Sequence, residues 1–507
     1  MVDILDIKTI GDLKKSGYKL RSVKEEMRSN LLKKINQNDT VFARIIGYDE
    51  SVIPQIENAI LSKHDFILLG LRGQAKTRIL RSLTTLLDEY IPIIKDSEIN
   101  DHPFQPISKW GRVQVEKHGD NTPIEWIIRD QRFNEKLATP DVSIADLFGD
   151  IDPIKAASRQ LEYADEEALH YGLIPRTNRG IFVINELPDL QPRIQVGLLN
   201  ILEEKDLQIR GFPLRIPLDI LIAFSANPED YTNRGNIITP LKDRIDSQII
   251  THYPYTVNEG IEITTQEAWQ NRNGTDDSRI PYYFREIIEN IAREARQSEL
   301  IDQKSGVSAR LPISCLELMI SNAERRAKVN VEKKYTLRIC DLEATIPAIT
   351  GKIELVYEGE QEGATNVAKI LIGKAVKKVF EKYFPLPRNN RKTNNKAAIE
   401  QIELENIISW FANDNIITVN CLANEKNYIR SLAVGENLEP FIKKHFPQSE
   451  TEDPMAMAVA KEFVLESLYQ SSFLSKFGSS DKVTYKDLVG TIFNSLPDDE
   501  GEDSENY

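Results

Sequence analysis

The chain has 507 residues, too many for one ordinary core, so two or three domains are expected. Hydrophobic residues at 41% and charged residues at 28% are normal for a soluble globular protein. A net charge of −14 argues against a duplex nucleic-acid binder, which needs clustered Lys and Arg against phosphate. Cys315, Cys340 and Cys421 lie far apart with no CxxC spacing. That argues against a disulfide framework or a structural zinc site, and for reduced, partly buried thiols. Met1 to Leu20 carries charges throughout, without an apolar leader stretch, and no run approaches the ~18 apolar residues of a spanning helix. A cytoplasmic protein without membrane contact is expected.

In chain order, residues 1–40 form a polar helical lead-in, with apolar residues at helical spacing from Val23 to Asn36. Ile45–Leu61 reads as a turn and an amphipathic helix. Asp65–Gly70 (DFILLG) is an apolar run ended by Gly, the pattern of a buried strand, and a helical segment follows. Gly180–Glu186 (GIFVINE) and Leu218–Pro228 are further buried strands, with a helix from Arg193 to Glu204 between them. Strands of this parallel type alternating with helices predict a three-layer α/β domain over 41–255. A helical domain is expected over 256–384. Residues 385–396 form a linker with two prolines, and 397–496 read as helical. The acidic end, 497–507, reads as disordered.

The segment GLRGQAKT, Gly70 to Thr77, sits directly after the first strand and before a helix. In that context backbone N–H groups cradle phosphate oxygens, a Lys neutralises the terminal phosphates and a hydroxyl reaches Mg²⁺. Lys76 and Thr77 fill the last two roles, and Gly70 and Gly73 allow the tight turn. The cradle comprises Gly70, Leu71, Arg72, Gly73, Gln74, Ala75, Lys76, Thr77 and Arg78. Ala75 stands where the strict pattern has Gly, so either it adopts an angle unusual for an L-residue or the loop shifts.

GIFVINE ends as a Walker B strand does, but with Asn185-Glu186 in place of Asp-Glu. Glu186 can orient or deprotonate the attacking water. Asn185 can hydrogen-bond a metal-bound water but brings no charge, so weaker Mg²⁺ binding and slower turnover are expected. A non-hydrolysing ATP-binding scaffold stays open on these grounds.

With these pieces in order, the chain resembles the AAA+ ATPases. FSANPED (Phe224–Asp230) resembles their first sensor, with Asn227 at the strand end. PLKDRID (Pro240–Asp246) is similar to the segment that carries their arginine finger, which implies that Arg244 completes a neighbouring subunit's site. GVSARLP (Gly306–Pro312) resembles a second sensor, with Arg310 on the lid. Between the Walker motifs, TPDVSIADLFGDIDPIKA and HYGLIPRTNRGIFVINEL resemble the magnesium-chelatase ATPase subunit and its MoxR-type relatives. Gly149–Asp152 stand where that family has a G-x-L/I-D insertion, and Gly172–Ile174 where the GLL of the segment after it begins. The resemblance covers roughly 40–330. It implies ATP and Mg²⁺ as cofactors, β-hairpin inserts, and a homo-oligomeric ring, expected to be a hexamer. It also implies remodelling or metal loading of a protein partner. A von Willebrand A-type partner would be a separate protein, since DxSxS is absent. An enhancer-binding-type transcription activator is the other class considered: ADLFG is shared with it, but GAFTGA is absent.

Overall fold

The computed structural model describes residues 4–152, 154, 166–208, 215–228, 236–272, 279–384, 395–435, 437–479 and 481–488. The expected disordered end, most of the expected linker, and Glu229 and Asp230 of the first-sensor segment lie outside the described residues.

The chain divides into two compact units, Met1–Tyr253 and Pro254–Tyr507. In the first, five described strands form a parallel sheet: β1 (Phe66–Leu69), β2 (Phe133–Leu137), β3 (Gly180–Asn185), β4 (Ile220–Ala226) and β5 (Ser247–Ile250). Their spatial order is β5-β1-β4-β3-β2. Alternate side chains point to opposite faces of a strand, so each strand feeds two cores. Phe66, Leu68, Ile181, Val183, Leu221 and Ala223 face helices α1 (Val23–Asn36), α2 (Val52–Leu61) and α3 (Lys76–Ser82). Ile67, Leu69, Phe182, Ile184, Ile222 and Phe224 face α4 (Pro192–Glu203). These are the three layers expected. The region between the Walker motifs carries an antiparallel pair, Gly149–Ile151 with Leu169–Tyr171, and Asp206–Gln208 pairs with Arg215–Pro217 further on. Gly149 has φ +108, and a Cβ there would lie 2.4 Å from the His170 carbonyl oxygen.

The lead-in helix α1 is part of this core. Its Glu26 accepts from both Arg132 Nη1 and Nη2 at 2.7 Å, and both residues are buried. Its Val23 N–H donates to the Asp219 carboxylate at 2.9 Å, just before β4.

In the second unit, helices α5 (Tyr282–Ala295), α6 (Arg310–Val329), α7 (Ala364–Tyr383) and α8 (Pro454–Gln470) build a core that runs from Ala268 to Tyr485. Asp453 caps α8 by accepting from the Ala456 N–H, and Pro454 occupies its first turn. The described residues of 397–496 are in large part helical, but they also hold three antiparallel strands: β6 (Ile417–Asn420), β7 (Leu474–Ser479) and β8 (Lys482–Asp487), with β8 central. These strands are short, and the long helices around them dominate the apolar periodicity.

Glu289 on α5 is 2% exposed and 3.7 Å from Arg296, and burial pushes its carboxyl up to about 7. A raised carboxyl pKa contributes stability that is complete below the unfolded value and is lost as pH rises through the folded value near 7. Relative to Glu289→Gln, wild-type stability should fall by about 3 kcal/mol between pH 4 and pH 8. Denaturant unfolding of both proteins across that range checks it.

Candidate functional site

β1 is an interior strand. The chain runs from it to the far edge at β2, returns through β3 and β4, and then places β5 on the other side of β1. Ligands of open parallel sheets bind outside the carboxyl ends of the strands at such a switch point. Leu69 pairs with Ala226, and Phe224 with Ile184. Gly70, Asn185, Glu186, Ser225 and Asn227 therefore share one edge of the sheet.

The loop after β1 is held from beneath. Thr251 Oγ1 donates to Gln74 Oε1 at 2.7 Å, and the Tyr48 hydroxyl bridges the carbonyls of Gln74 and His252. Tyr253 donates to the Arg72 carbonyl at 2.9 Å. A Cβ on Gly70 would lie 1.9 Å from Thr251 Oγ1, so the close approach requires glycine. Gly73 has φ +75. Ala75 adopts φ 57 and ψ 11, the left-handed conformation, so the loop keeps its path without glycine, at a cost of about 1 kcal/mol. Lys76 is buried, and its Nζ donates to the carbonyls of Gly70 and of Leu71 (3.1 Å). Thr77 and Arg78 are exposed in the first turn of α3.

Ser225 Oγ donates to Asn185 Oδ1 at 3.0 Å and accepts from the Glu186 N–H at 3.4 Å. Glu186 is left-handed at φ 55 and ψ 51, a conformation uncommon for Glu and enriched at functional sites. Asn227 Oδ1 is buried without a hydrogen-bond partner among the described residues. An acceptor left in that state at this sheet edge suits a bound water. Ser225, Thr251 and Tyr48 were not singled out from the sequence. Ser225 lies inside the first-sensor segment, whereas nothing local marks Thr251 or Tyr48.

Arg244 is not at this edge. It ends the helix Thr239–Arg244, and its Nε donates to Glu203 at 2.6 Å. Asp246, two residues on, accepts from the N–H of Asp65, which precedes β1. Arg244 thus belongs to the amino edge of the sheet, opposite Gly70. Arg310 belongs to the second unit, where it is exposed at the start of α6.

No family model matches the chain. It is 25% identical over 254 residues to the magnesium-chelatase 38 kDa subunit of Cereibacter sphaeroides, covering 47% of this chain and 69% of that protein. It is 32% identical over 93 residues to the hydrogenase transcriptional regulatory protein HoxA of Cupriavidus necator, 18% of this chain and 19% of that one. One chain of a cryo-EM-based model of the complex between subunits BchI and BchD of magnesium chelatase gives 17% identity and a TM-score of 0.33, covering 63% of this chain and 98% of that chain. No described helix is long and apolar enough to cross a membrane. With its five-stranded parallel sheet and its similarity to the chelatase subunit, the chain resembles the AAA+ ATPases of the magnesium-chelatase type.

Proposed function

We propose that the chain hydrolyses ATP with Mg²⁺ in a homo-oligomeric ring, a hexamer, and uses the cycle to remodel or load metal or cofactor onto a separate protein partner in the cytoplasm, as a MoxR-like or chelatase-like motor. The observation that carries this reading is the meeting of the phosphate loop, Asn185-Glu186 and Asn227 at one sheet edge. The residues fit the group: Thr77 offers an exposed hydroxyl, Glu186 a carboxylate and Asn227 an unsatisfied acceptor. Mg²⁺ when bound supplies charge neutralisation at the phosphates.

Lys76 binds the terminal phosphates by exchanging its loop carbonyls for them. Glu186 orients the water, and Asn227 holds it. Arg244 serves a neighbour's site, a role supported by its place on the far edge of its own sheet. Arg310 would read the γ-phosphate. GAFTGA is absent from the chain, so the activator reading has less support despite the stretch similar to HoxA.

The test is steady-state ATPase activity with Mg²⁺, titrated against protein concentration. Turnover per chain is expected to rise with concentration. Tight ATP binding without hydrolysis would instead favour the scaffold reading, which rests on Asn185. For that residue, Asn185→Asp should keep the Ser225 bond and add a charge. About tenfold tighter Mg²⁺ half-saturation is expected, a fraction of the ~4 kcal/mol between unit charges at 4 Å and ε ≈ 20. An unchanged Mg²⁺ titration would remove Asn185 as the cause of slow turnover.

A further inference from the structure

Cys340 and Cys421, read from the sequence as separate thiols, are brought together in the second unit. Their Sγ atoms and a carboxylate oxygen of Glu462 lie within 4.8 Å of one another. In a tetrahedral site with Zn–S bonds of ~2.3 Å, two sulfurs sit about 3.8 Å apart, so small side-chain adjustments close the set. Cys421 and Glu462 are buried, whereas Cys340 is half-buried. Cys340 and Glu462 both line a cavity of about 480 Å³.

The surroundings hold these groups in place. Glu462 Oε2 accepts from Tyr428 Oη at 2.5 Å and from the Ile339 N–H at 3.0 Å. The Cys421 N–H donates to the Asp481 carbonyl at 2.9 Å, and its own carbonyl accepts from Arg338 Nη1 at 3.1 Å. Oriented ligands of this kind are what a metal site needs beyond its donors. Two thiolates, one carboxylate and a divalent cation sum to −1, and the buried Arg338 guanidinium balances that charge.

We propose that Cys340, Cys421 and Glu462 bind a borderline-soft divalent cation of the Zn²⁺ class, with the fourth position open to the cavity. Binding displaces the two thiol protons to solvent, so affinity rises with pH. The site is independent of the nucleotide reading.

The test uses the full chain, reduced and stripped with a chelator, then titrated with Co²⁺. One equivalent should give thiolate-to-cobalt charge-transfer absorption that Zn²⁺ displaces. Cys340→Ser and Cys421→Ser should lose the band, Glu462→Gln should weaken binding by about tenfold or more, and Cys315→Ser should retain it. Metal binding at the phosphate loop gives no thiolate band, which separates the two sites. Should the cysteine variants not fold, alkylation of Cys340 in the wild type is the second measurement, and Zn²⁺ should slow it. Absence of the band, its persistence in Cys340→Ser, or equal alkylation rates with and without Zn²⁺ would overturn the site.

Discussion

Lys76→Ala should lower kcat/KM for ATP by about 10³-fold, the loss of ~4 kcal/mol that a unit charge makes with another at 4 Å and ε ≈ 20. The ammonium is buried in the loop and already directed to its mouth by the carbonyls of Gly70 and Leu71. Removing it leaves those carbonyls to water at the loop, so the fold should persist. Steady-state kinetics and a nucleotide-binding titration measure the effect, with circular dichroism as the check on folding. A change under about tenfold would mean that the loop does not bind phosphate in this way.

Arg244→Ala should lower turnover of the assembled protein by about 10³-fold, with ATP affinity nearly unchanged. Its ion pair with Glu203 is partly exposed and screened by solvent, so the stability cost is under about 1 kcal/mol. Mixing Arg244→Ala with Lys76→Ala chains provides the sharper test. In a mixed ring, a Lys76→Ala subunit still offers Arg244 to a neighbour whose phosphate loop is intact. Partial recovery of activity is expected; none, in chains that co-assemble, would rule out the shared site.

The three central strands β1, β3 and β4 were legible because burial on both faces makes continuous apolar runs, and Gly70 and Asn227 mark two of their ends; the edge strands β2 and β5 were not, because their side chains are largely part-exposed and leave no such run. Gly70, Asn185, Glu186 and Asn227 were legible as candidates because they end those strands. Ala75 was ambiguous because a sequence does not disclose a backbone angle, and the left-handed conformation answers it. Glu26 and Arg132 were invisible as partners, since a charged residue on a polar helix looks solvated until its distant counter-ion is known. Cys340 and Cys421 escaped for the same reason: their proximity is made by tertiary packing, not by spacing.

The order of the sheet also bears on synthesis. Among the described strands β1 pairs with β4 and β5, the last two of its unit to be made. The Val23 amide likewise waits for Asp219, 196 residues later. At about 5–20 residues per second, that interval is roughly 10–40 s on the ribosome. From the moment it is made until β4 follows Asp219, the first strand has both edges open, and for the first part α1 has no Arg132 to pair with Glu26. The nascent chain is therefore exposed to self-association for longest at the strand that later carries the phosphate loop.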